Sequence, residues 1–482
     1  MQIRLNARVR RCTGTTGAST LGTMHRDTDP ERDDAPDWRA PAATGPVRAQ
    51  VRPPGSKSVT NRALVLAALA DGPTMITNPL RARDTRLMAD ALRALGTVIE
   101  EDGRARDGAA SVESGGEYGI WRVTPGLTDG AAVVDVGNAG TVMRFVPPVA
   151  ALTRGSVEFT GDARMAQRPI GPLLAALRDL GAVIDDGGRG SAPFIVRGSG
   201  GISGGTVTLD ASGSSQLVSG LLLAAPRYDK GAEVHHDGPR VPSAPHIGMT
   251  VQMLRDAGAH VETWVTEPGA SVPDRWRVHP GELRPGTVTV EPDLSNAAPF
   301  LAAALVTGGS ITIPGWPRRS LQAADQILGF LTQMGADCSL TADGMRVTGS
   351  GTIHGITADL RDVSEIVPVL TALAALADAP SVFTGIGHMR SHESDRLAAL
   401  AAEIGALGGD VRDHDDGLEI RPRPLRADGV VFASHDDHRL VMAGAVLGLA
   451  VPGGLLVGNA ATVGKTFPAF TAAWSAISER SP

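Results

Sequence analysis

The sequence predicts an α/β protein in which six copies of a strand–helix–strand–helix–strand–strand unit form two pseudo-symmetric domains of three units each. Two recurring patterns support this prediction. An alanine-rich, uncharged helical stretch is followed by a glycine or proline turn and a β-branched run, and an amphipathic helix then ends at a glycine before another strand. A six-unit solenoid is the alternative, but its terminal repeats should be polar caps, and here the first and last units are as apolar as the others.

The first pattern occurs six times along the chain. Its copies occupy residues 63–77, 146–160, 217–234, 297–313, 366–383 and 440–457. The second pattern starts at residues 89, 173, 251, 328 and 397. After the sixth copy the chain ends in a short predicted helix over 467–477, so that unit lacks its own trailing strands. We expect the segment 47–52 to supply them.

Two segments rich in proline and glycine, 52–55 and 284–286, are the best candidates for linkers between the domains. They assign the first three units to residues 57–284 and the last three to residues 47–56 plus 285–482. Residues 1–46 are expected to form a disordered extension, because they begin with an arginine-rich leader and continue with a charged run. A mis-assigned start codon, with Met24 as the true start, explains the leader better than a transit peptide does.

Composition argues against several classes of protein. Hydrophobic residues make up 42% of the 482 residues, which excludes wholesale disorder, and the formal net charge of −7 argues against a general nucleic-acid binder. Two cysteines cannot form a disulfide framework, which fits a reducing compartment. Uncharged runs over 297–317 and 440–462 reach membrane-spanning length, but glycine or proline interrupts both, so a membrane protein is not expected.

Short polar clusters precede most of the uncharged helices. They occupy residues 53–62, 137–144, 212–216 and 435–439, and Glu365 precedes the fifth helix. Helix N-termini present unpaired backbone N–H groups that favour anions, and Lys57, Arg62 and Arg144 add positive charge. Any one cluster could be an ordinary N-cap, but together they predict an anion-binding site. The first cluster is not a Walker phosphate loop, because it lacks the second glycine before Lys57.

Three further clusters carry charged residues, and they occupy residues 161–170, 390–396 and 463–468. The last of them contains Lys465, one of only three lysines among 45 basic residues. A metal site at His388 and His392, or in the cluster 435–439, is an alternative. Adjacent arginines would repel a cation at both places, so we expect no metal.

Seven motifs make the chain recognisable. In chain order they are PGSKSVTNRALVLAALA, GNAGTVMR, RMAQRPI, GSSQ, HESDRL, DHR and VGKTFP. Together they resemble the 5-enolpyruvylshikimate-3-phosphate synthases, and the resemblance runs from about residue 47 to the C-terminus. It implies two domains that each form an inside-out α/β barrel of three βαβαββ units, with the active site in the cleft between them.

Two other functions stay open. The sister family, which transfers enolpyruvate to UDP-N-acetylglucosamine, shares the fold but usually carries a cysteine in the loop that corresponds to 161–169, and this loop has none. A catalytically inactive repeat protein that binds a phosphorylated ligand is the other alternative. Such a protein would be expected to lose an acid or a base, yet Lys57, Glu365 and Glu393 are all present.

The resemblance implies a transferase whose substrates are shikimate 3-phosphate and phosphoenolpyruvate. The 5-hydroxyl of shikimate 3-phosphate takes up the enolpyruvyl group, and phosphate is released. The resemblance further implies no cofactor and no metal, no nucleic-acid or membrane partner, and a monomer in the cytoplasm. Glyphosate, a phosphonate anion, is expected to compete with phosphoenolpyruvate.

Matching motifs give each candidate residue an implied role. Glu365 is the expected base near the 5-hydroxyl, and Glu393, with Lys57, is the expected proton carrier at C3 of phosphoenolpyruvate. The residues expected to bind shikimate 3-phosphate are Lys57, Ser58, Arg62, Ser214, Ser215, Gln216, Ser243, Glu365 and His392. The residues expected to bind phosphoenolpyruvate are Lys57, Asn138, Gly140, Arg164, Gln216, Arg396, His438, Arg439 and Lys465.

Five positions depart from what many members of this family carry. The departures are Glu365 for aspartate, His392 for lysine, His388 for asparagine, His246 for tyrosine and Phe145 for proline. They leave the reaction unchanged but affect the expected affinities.

The departure at His392 has a consequence for pH dependence. A histidine loses its charge near a pH of about 6.5, whereas a lysine stays charged to about pH 10. We therefore expect binding of shikimate 3-phosphate to weaken as the pH rises through the pKa of His392.

Overall fold

Short strands alternate with helices along the chain in the order that the repeated unit requires. The computed structural model of the protein describes residues 37–102, 119–168, 170–266, 269–270 and 272–479. The elements up to residue 278 are β1 (Trp38–Ala40), β2 (Arg48–Gln50), α1 (Lys57–Ala68), β3 (Thr74–Thr77), α2 (Arg83–Ala94), β4 (Val98–Glu101), β5 (Ile120–Thr124), β6 (Ala132–Asp135), α3 (Gly140–Ala150), β7 (Arg154–Thr160), α4 (Ala163–Ala166), α5 (Gly171–Asp179), β8 (Val183–Asp185), β9 (Phe194–Ser199), β10 (Gly205–Leu209), α6 (Ser215–Ala224), β11 (Ala232–His236), α7 (Pro245–Asp256), β12 (Val261–Trp264) and β13 (Arg275–Val278).

The second half of the chain continues the same alternation. Its elements are β14 (Thr287–Thr289), α8 (Leu294–Thr307), β15 (Ser310–Ile313), α9 (Ala324–Gln333), β16 (Asp337–Thr341), β17 (Gly344–Thr348), β18 (Thr357–Asp359), α10 (Val367–Ala375), β19 (Ser381–Thr384), α11 (Arg396–Ala406), β20 (Asp410–His414), β21 (Gly417–Arg421), β22 (Val431–Ala433), α12 (His438–Ala450), β23 (Leu455–Gly458) and α13 (Phe470–Glu479). Short 3₁₀ helices cover Ala225–Arg227, Arg361–Ile366, Gly387–Ser391 and Ala460–Lys465.

The described residues form six sheets, and each corresponds to one predicted unit. In the second sheet β6 pairs parallel with β7, and β9 pairs antiparallel with both β7 and β8. A parallel pair needs a crossover, which α3 supplies, whereas an antiparallel pair needs only a short turn. The sheets β10-β11-β13-β12 and β18-β19-β21-β20 repeat this order. The predicted α/β class with repeated βαβαββ units is therefore confirmed.

Three sheets are completed by strands from a distant part of the chain. β14 pairs parallel with β3 in the sheet of the first unit, although it lies beyond the linker predicted at 284–286. β2 pairs parallel with β15 in the sheet of the fourth unit, and β1 pairs antiparallel with β23 in the sixth. The prediction that the segment 47–52 completes the sixth unit is therefore wrong, because β2 extends the fourth sheet and β1 takes the expected place.

The disordered extension predicted over residues 1–46 is too long at its C-terminal end. Trp38 packs edge-to-face against Phe470 with 6.2 Å between ring centroids, and Ala40 and Val47 are fully buried. Apolar contacts thus order this segment against the second half of the chain. Residues 1–36, with both candidate start codons, lie outside the described residues.

The domain limits 57–284 and 47–56 plus 285–482 stay predictions. Because β14 (Thr287–Thr289) pairs with β3, the sheet of the first unit includes residues beyond 284.

Two hydrophobic cores hold the fold, one drawn from residues 59–290 and the other from residues 40–51 and 294–477. The helices α1, α3 and α6 lie in the first core, and α8, α10 and α12 lie in the second, with nearly all their residues buried. A helix enclosed on all sides cannot carry unpaired charge, which explains the uncharged stretches. Among the described helices, none is long and apolar enough to cross a membrane.

Candidate active site

Polar and charged side chains collect where the buried helices begin. α1 begins at Lys57, α3 at Gly140 and α6 at Ser215, while α10 follows Glu365 and α12 begins at His438. These are the positions of the polar clusters that the sequence places before uncharged helices. The positive ends of these helix dipoles thus lie near a common region, which favours anions there.

Two pockets lie in this region. The first, here named the Gly140 pocket, is lined among others by Lys57, Gly140, Arg144, Arg168, Ser214, Gln216, Glu365, His388, His392 and Glu393. The second, here named the Ser243 pocket, is lined among others by Lys57, Ser58, Ser243, His246, Ser364, Glu365 and Arg439. Lys57 and Glu365 line both pockets, so a ligand in either one meets them.

Lys57 is held by acidic groups. Its ammonium lies 3.4 Å from a carboxylate oxygen of Asp84, whose side chain is only 3% exposed. Burial would lower the pKa of Lys57, but Asp84, Glu365 and Glu393 together raise it above the usual value. Lys57 is therefore charged at neutral pH and can attract an anion or donate a proton.

Arg396 is fully buried and connects three carboxylates. Its Nε donates to Oδ2 of Asp437 at 2.7 Å, and its Nη2 donates to Oε2 of Glu393 at 2.9 Å. Its Nη1 lies 3.6 Å from Oε2 of Glu365. Burial opposes the charge of Arg396, but the three carboxylates raise its pKa above the usual value. One guanidinium thus fixes the positions of both candidate catalytic glutamates.

Glu365 lies between two arginines. Nε of Arg439 donates to its Oε2 at 3.2 Å, and Arg396 approaches the same oxygen. Burial would raise the pKa of Glu365, yet Arg396, Arg439 and Lys57 hold it well below its usual range. Glu365 is therefore ionised and able to accept a proton. An anion bound to these arginines would offset part of their field and make Glu365 a stronger base.

Lys465 connects Glu393 to the start of α3. Its Nζ lies 3.0 Å from Oε1 of Glu393 and donates to the backbone carbonyl of Asn138 at 2.9 Å. Burial would raise the pKa of Glu393, but Lys465 and Arg396 hold it well below its usual range. Glu393 is therefore ionised, and it must take up a proton before it can donate one.

Gly140 leaves room for two guanidinium groups. A Cβ at this position would lie 2.7 Å from Nη1 of Arg144 and 2.7 Å from Nη2 of Arg168. Arg144 also donates to Oε1 of Gln216 at 3.1 Å. Burial and the neighbouring Arg168 lower the pKa of Arg144 to about 9, which leaves it charged at neutral pH. Because neither arginine forms an ion pair with a carboxylate among the described residues, this wall of the pocket has an excess of positive charge.

Three predicted arginines line neither pocket: Arg396, which lies behind the two glutamates as described above, Arg62 and Arg164. Arg62 is buried, and it donates to Oγ1 of Thr250 at 2.7 Å and to the backbone carbonyls of Ser58 and His246 at 3.0 Å each. Burial lowers the pKa of Arg62 to about 9. Its guanidinium carbon lies 5.1 Å from the ring centroid of Phe145, the residue that replaces proline. Direct contact of Arg62 with a substrate stays a prediction.

Arg164 joins the two halves of the chain through backbone acceptors. Its Nη2 donates to the carbonyl oxygens of Arg390 at 3.4 Å and His392 at 3.3 Å, and its Nη1 donates to Oε1 of Gln167 at 3.0 Å. The contact aligns the short helix α4 with the segment that carries His392. A role in binding phosphoenolpyruvate stays a prediction for Arg164.

The predicted hydroxyl ligands divide between the two pockets. Ser243 lies in the Ser243 pocket, where its Oγ is 2.9 Å from Oγ of Ser364. Ser214 lies in the Gly140 pocket and caps α6 by accepting a hydrogen bond from the backbone N–H of Gln216 at 3.3 Å. Ser215 is nearly fully buried and lines neither pocket.

His392 is neutral rather than charged. Its Nδ1 accepts a hydrogen bond from Nη1 of Arg396 at 3.1 Å, since a guanidinium can only donate. Burial and then Arg396 hold the pKa of His392 well below its usual range. The expected loss of charge near pH 6.5 is therefore wrong, because the imidazole has already lost its proton at a lower pH. Burial likewise lowers the pKa values of His388 and His246 to about 4.

His438 and Asn138 line neither pocket. His438 is fully buried, and neither ring nitrogen has a hydrogen-bond partner among the described residues. Burial and the adjacent Arg439 hold its pKa well below the usual range, so it is neutral. The side-chain oxygen of Asn138 accepts a hydrogen bond from Nη1 of Arg168 at 3.3 Å. Asn138 thus holds Arg168 and Lys465 in place, whereas His438 makes no hydrogen bond to the site among the described residues.

Asp84, Arg168 and Asn296 contact charged groups of this site but have no role in the sequence prediction, which names Arg144 as a source of positive charge without making it a ligand of either substrate. Arg168 belongs to a quoted motif, so the motif is the signal that could have revealed it. Asn296 accepts a hydrogen bond from Nη1 of Arg439 at 3.1 Å, and Asp84 pairs with Lys57. Neither has a local pattern that distinguishes it from an ordinary helix-start residue.

The chain resembles known proteins along nearly its whole length. The profile of EPSP synthase (3-phosphoshikimate 1-carboxyvinyltransferase) matches residues 41–474. The chain belongs to the EPSP synthase family. A curated relative from Kocuria rhizophila, named 3-phosphoshikimate 1-carboxyvinyltransferase, is 47% identical over 448 residues, which span 91% of this chain and 96% of the relative. The resemblance drawn from the seven motifs is thus confirmed.

Solved EPSP synthases from Acinetobacter baumannii share the fold. One matches with a TM-score of 0.71 and covers 92% of this chain and 98% of its own. Another matches with a TM-score of 0.69 and covers 91% of this chain and 97% of its own. Both are 24% identical to this EPSP synthase family member, so they support its two-domain α/β architecture and no finer detail.

Proposed function

We propose that this protein transfers the enolpyruvyl group of phosphoenolpyruvate to the 5-hydroxyl of shikimate 3-phosphate and releases phosphate. The observation that carries the proposal is the set of cations around two carboxylates: Arg396 contacts both Glu365 and Glu393, and Lys57 lines the Gly140 pocket together with them. A relative that is 47% identical across nearly the whole chain bears the name of this activity. The reaction belongs to the shikimate pathway of aromatic amino acid biosynthesis.

Phosphoenolpyruvate suits the Gly140 pocket because it has a phosphate and a carboxylate. Arg144 and Arg168 line this pocket and form no ion pair with a carboxylate among the described residues, and Lys57 lines it too. Guanidinium groups bind such anions with two parallel hydrogen bonds, which gives orientation as well as affinity. Gly140 lets the anion approach both arginines, since no side chain occupies the space between them.

Shikimate 3-phosphate is expected beside Lys57 and Glu365, which line both pockets. The pocket-lining groups available to its phosphate and hydroxyls are Ser58, Ser214, Gln216, Ser243 and His392. Hydroxyl, amide and neutral imidazole groups can each donate to an oxygen of the substrate. The 5-hydroxyl must then lie within hydrogen-bond reach of Glu365 for the first step.

In the first step the substrate oxygen adds to C2 of phosphoenolpyruvate. Glu365, which is ionised, takes the proton of the 5-hydroxyl as the new C–O bond forms. The electron pair of the C2–C3 double bond takes up a proton at C3. Lys57 is charged and therefore favoured as the donor, whereas Glu393 is ionised and has no proton to give.

In the second step the tetrahedral intermediate loses phosphate. Glu393 is the favoured acceptor for a proton from the C3 methyl group, because it is ionised and held by Lys465. The C–H bonding pair becomes the new double bond, and the C2–O bond to phosphate breaks with its electrons on the leaving oxygen. The surrounding arginines stabilise the charge of the departing phosphate.

Phosphate release that requires both substrates tests the proposal. The full chain is incubated with phosphoenolpyruvate and shikimate 3-phosphate, and phosphate and enol ether should form in equal amounts. Substituting UDP-N-acetylglucosamine for shikimate 3-phosphate tests the sister activity. Binding of shikimate 3-phosphate without any phosphate release would instead indicate the inactive repeat protein.

Two finer statements belong to the same proposal. We expect a monomer that works in the cytoplasm on small-molecule substrates and without a cofactor. Sedimentation at micromolar concentration tests the monomer, and a mass that corresponds to two chains would contradict it.

We also propose that the two hydrophobic cores mark two domains, between which Lys465 and Arg164 make direct contacts.

A further inference from the structure

Two imidazoles and one carboxylate lie together on the sheet β10-β11-β13-β12, away from both pockets. The ligand atoms of His260, Glu262 and His279 all lie within 4.8 Å of one another. The two imidazole rings stack with 4.3 Å between centroids and 14° between planes, and Nε2 of His279 is 2.6 Å from Oε1 of Glu262. Within the part of the chain that the structure describes, this is the one such group of three histidine, cysteine, aspartate or glutamate side chains.

The strand register brings these three side chains together. Val261 pairs with Val278, so His260 and His279 are direct neighbours across the two strands. The backbone N–H of His279 donates to the carbonyl of His260 at 3.0 Å, which fixes their separation. Side chains alternate along a strand, so His260 and Glu262 point to the same face. The site is thus held by the backbone of a hairpin rather than by a loose loop.

We propose that His260, Glu262 and His279 form a surface site for a transition-metal ion of the Zn²⁺ class. Two imidazole nitrogens and a carboxylate oxygen are ligands that Zn²⁺ and its neighbours prefer, and three protein ligands leave a fourth position for water. Mg²⁺ prefers six oxygen ligands and would be bound poorly. The ion would replace the proton that now joins His279 to Glu262, so both imidazoles bind as neutral groups.

Comparable pairs elsewhere on the surface lack the third ligand. His235 lies 2.7 Å from Glu233, but Arg275 lies 2.6 Å from the same carboxylate and would repel a cation. His354 lies 2.8 Å from Asp378, and no third ligand group joins that pair among the described residues. A histidine–carboxylate pair is therefore common in this protein, and the second imidazole distinguishes the proposed site.

The ion would stabilise the fold without taking part in the transfer reaction. None of the three ligands lines either pocket. The ion would link the segments at the edges of β12 and β13, and any ligand that binds only the folded state raises its stability. Arg277 pairs with Glu262 in the register and lies 3.5 Å from Glu233, so its charge opposes the ion and limits the affinity.

Calorimetric titration of the EDTA-treated full chain with Zn²⁺ tests the proposal, with Mg²⁺ in parallel. We expect one Zn²⁺ per chain, a higher melting temperature with Zn²⁺, and no response to Mg²⁺. His279→Ala, His260→Ala and Glu262→Gln should each weaken Zn²⁺ binding by more than about tenfold, since even groups outside the ligand set contribute that much. The matched control His235→Ala removes a histidine from the same sheet and should bind Zn²⁺ like the parent. Arg277→Gln removes the opposing charge and should tighten binding.

Three results would overturn the proposal. They are a dissociation constant above about 1 mM for the parent, Zn²⁺ binding that persists unchanged in His279→Ala, and an equal loss in His235→Ala. Circular dichroism of each variant separates a lost ligand from a lost fold, and Glu262→Gln preserves the shape of the side chain. Phosphate release should be unchanged in the three ligand variants, so a failed metal titration would leave the proposed transferase function intact.

Discussion

The ammonium of Lys465 donates a hydrogen bond to the backbone carbonyl of Asn138 at 2.9 Å, although the two residues are 327 positions apart. The same ammonium lies 3.0 Å from the carboxylate of Glu393. Lys465 therefore has two roles: it joins the two halves of the chain, and it holds the candidate catalytic residue Glu393 in its ionised form. Removing its charge should affect the chemistry and the contact together.

Lys465→Gln is expected to lower kcat/KM for phosphoenolpyruvate by about 10- to 100-fold. A hydrogen bond to a charged group contributes about 1.5–3 kcal/mol, and each 1.4 kcal/mol is tenfold. Steady-state kinetics with each substrate varied in turn measures the loss. The control is Lys230→Gln, since Lys230 is exposed on the surface and should be replaceable without effect. Equal kinetics for the two variants would contradict the role of Lys465.

Asp84→Asn is expected to destabilise the protein by about 3 kcal/mol, because it leaves Lys57 as an unpaired buried charge. Asp84 contributes to raising the pKa of Lys57 above its usual value in the folded state. The contribution of this pair is therefore fully present below a pH of about 10.4 and is lost as the pH rises through the folded pKa. Urea unfolding at pH 7, 9 and 11 measures it.

A matched control for Asp84 lies on the same helix. Asp90 pairs with Arg93 on the surface, and its side chain is 67% exposed. Asp90→Asn should therefore change the free energy of unfolding by less than about 0.5 kcal/mol. A similar effect of the two substitutions, or an Asp84→Asn deficit that persists undiminished at pH 11, would count against a buried ion pair at Lys57.

Gly140→Ala is expected to weaken phosphoenolpyruvate binding and glyphosate inhibition while the fold stays intact. The added methyl would lie 2.7 Å from the guanidinium groups of Arg144 and Arg168, and both must move. Such crowding costs about 1–3 kcal/mol, so KM and the inhibition constant should rise by about tenfold or more. Gly405→Ala is the control, because nothing lies within 4 Å of a Cβ there. Unchanged inhibition of Gly140→Ala would refute this reading of the pocket.

The repeated pattern was sufficient to predict the fold class but not all strand partners. Periodicity identifies the buried helices because a wholly apolar helix has few other places to lie. A three-residue strand such as Arg48–Gln50 carries no information about which distant edge it will join. Its pairing with Ser310–Ile313 depends on where the folded chain brings distant segments together, as at the isolated antiparallel bridge between Gly55 and Pro292.

The sequence identifies site residues that belong to a motif, but it does not identify residues whose contacts depend on how separate helices pack. Lys57, Glu365 and Glu393, which belong to the motifs or to a polar cluster, line one pocket, and their catalytic roles stay predictions. Asp84 escaped prediction because an ion pair between α1 and α2 depends on how the two helices pack. The charge of His392 was predicted wrongly, because an unperturbed pKa takes no account of burial or of Arg396.

His392 should therefore bind substrate as a neutral donor throughout the physiological range. Its Nδ1 accepts from Arg396, so the remaining proton lies on Nε2, the only nitrogen able to donate to a ligand. Because its folded pKa lies well below the usual value, the neutral form contributes full stability above a pH of about 6.5. That contribution is lost as the pH falls below this value toward the folded pKa.

A kinetic measurement can show whether His392 is neutral or charged. KM for shikimate 3-phosphate is measured between pH 7 and 9 in the parent protein and in the variants His392→Gln and His392→Lys. Glutamine keeps a neutral donor and an acceptor, so its pH profile should run parallel to that of the parent. Lysine adds a charge worth on the order of 1 kcal/mol toward the substrate phosphate, so KM should fall several-fold at every pH. A rise of KM with pH in the parent that disappears in His392→Gln would mean that His392 is charged near neutrality, despite its hydrogen bond from Arg396.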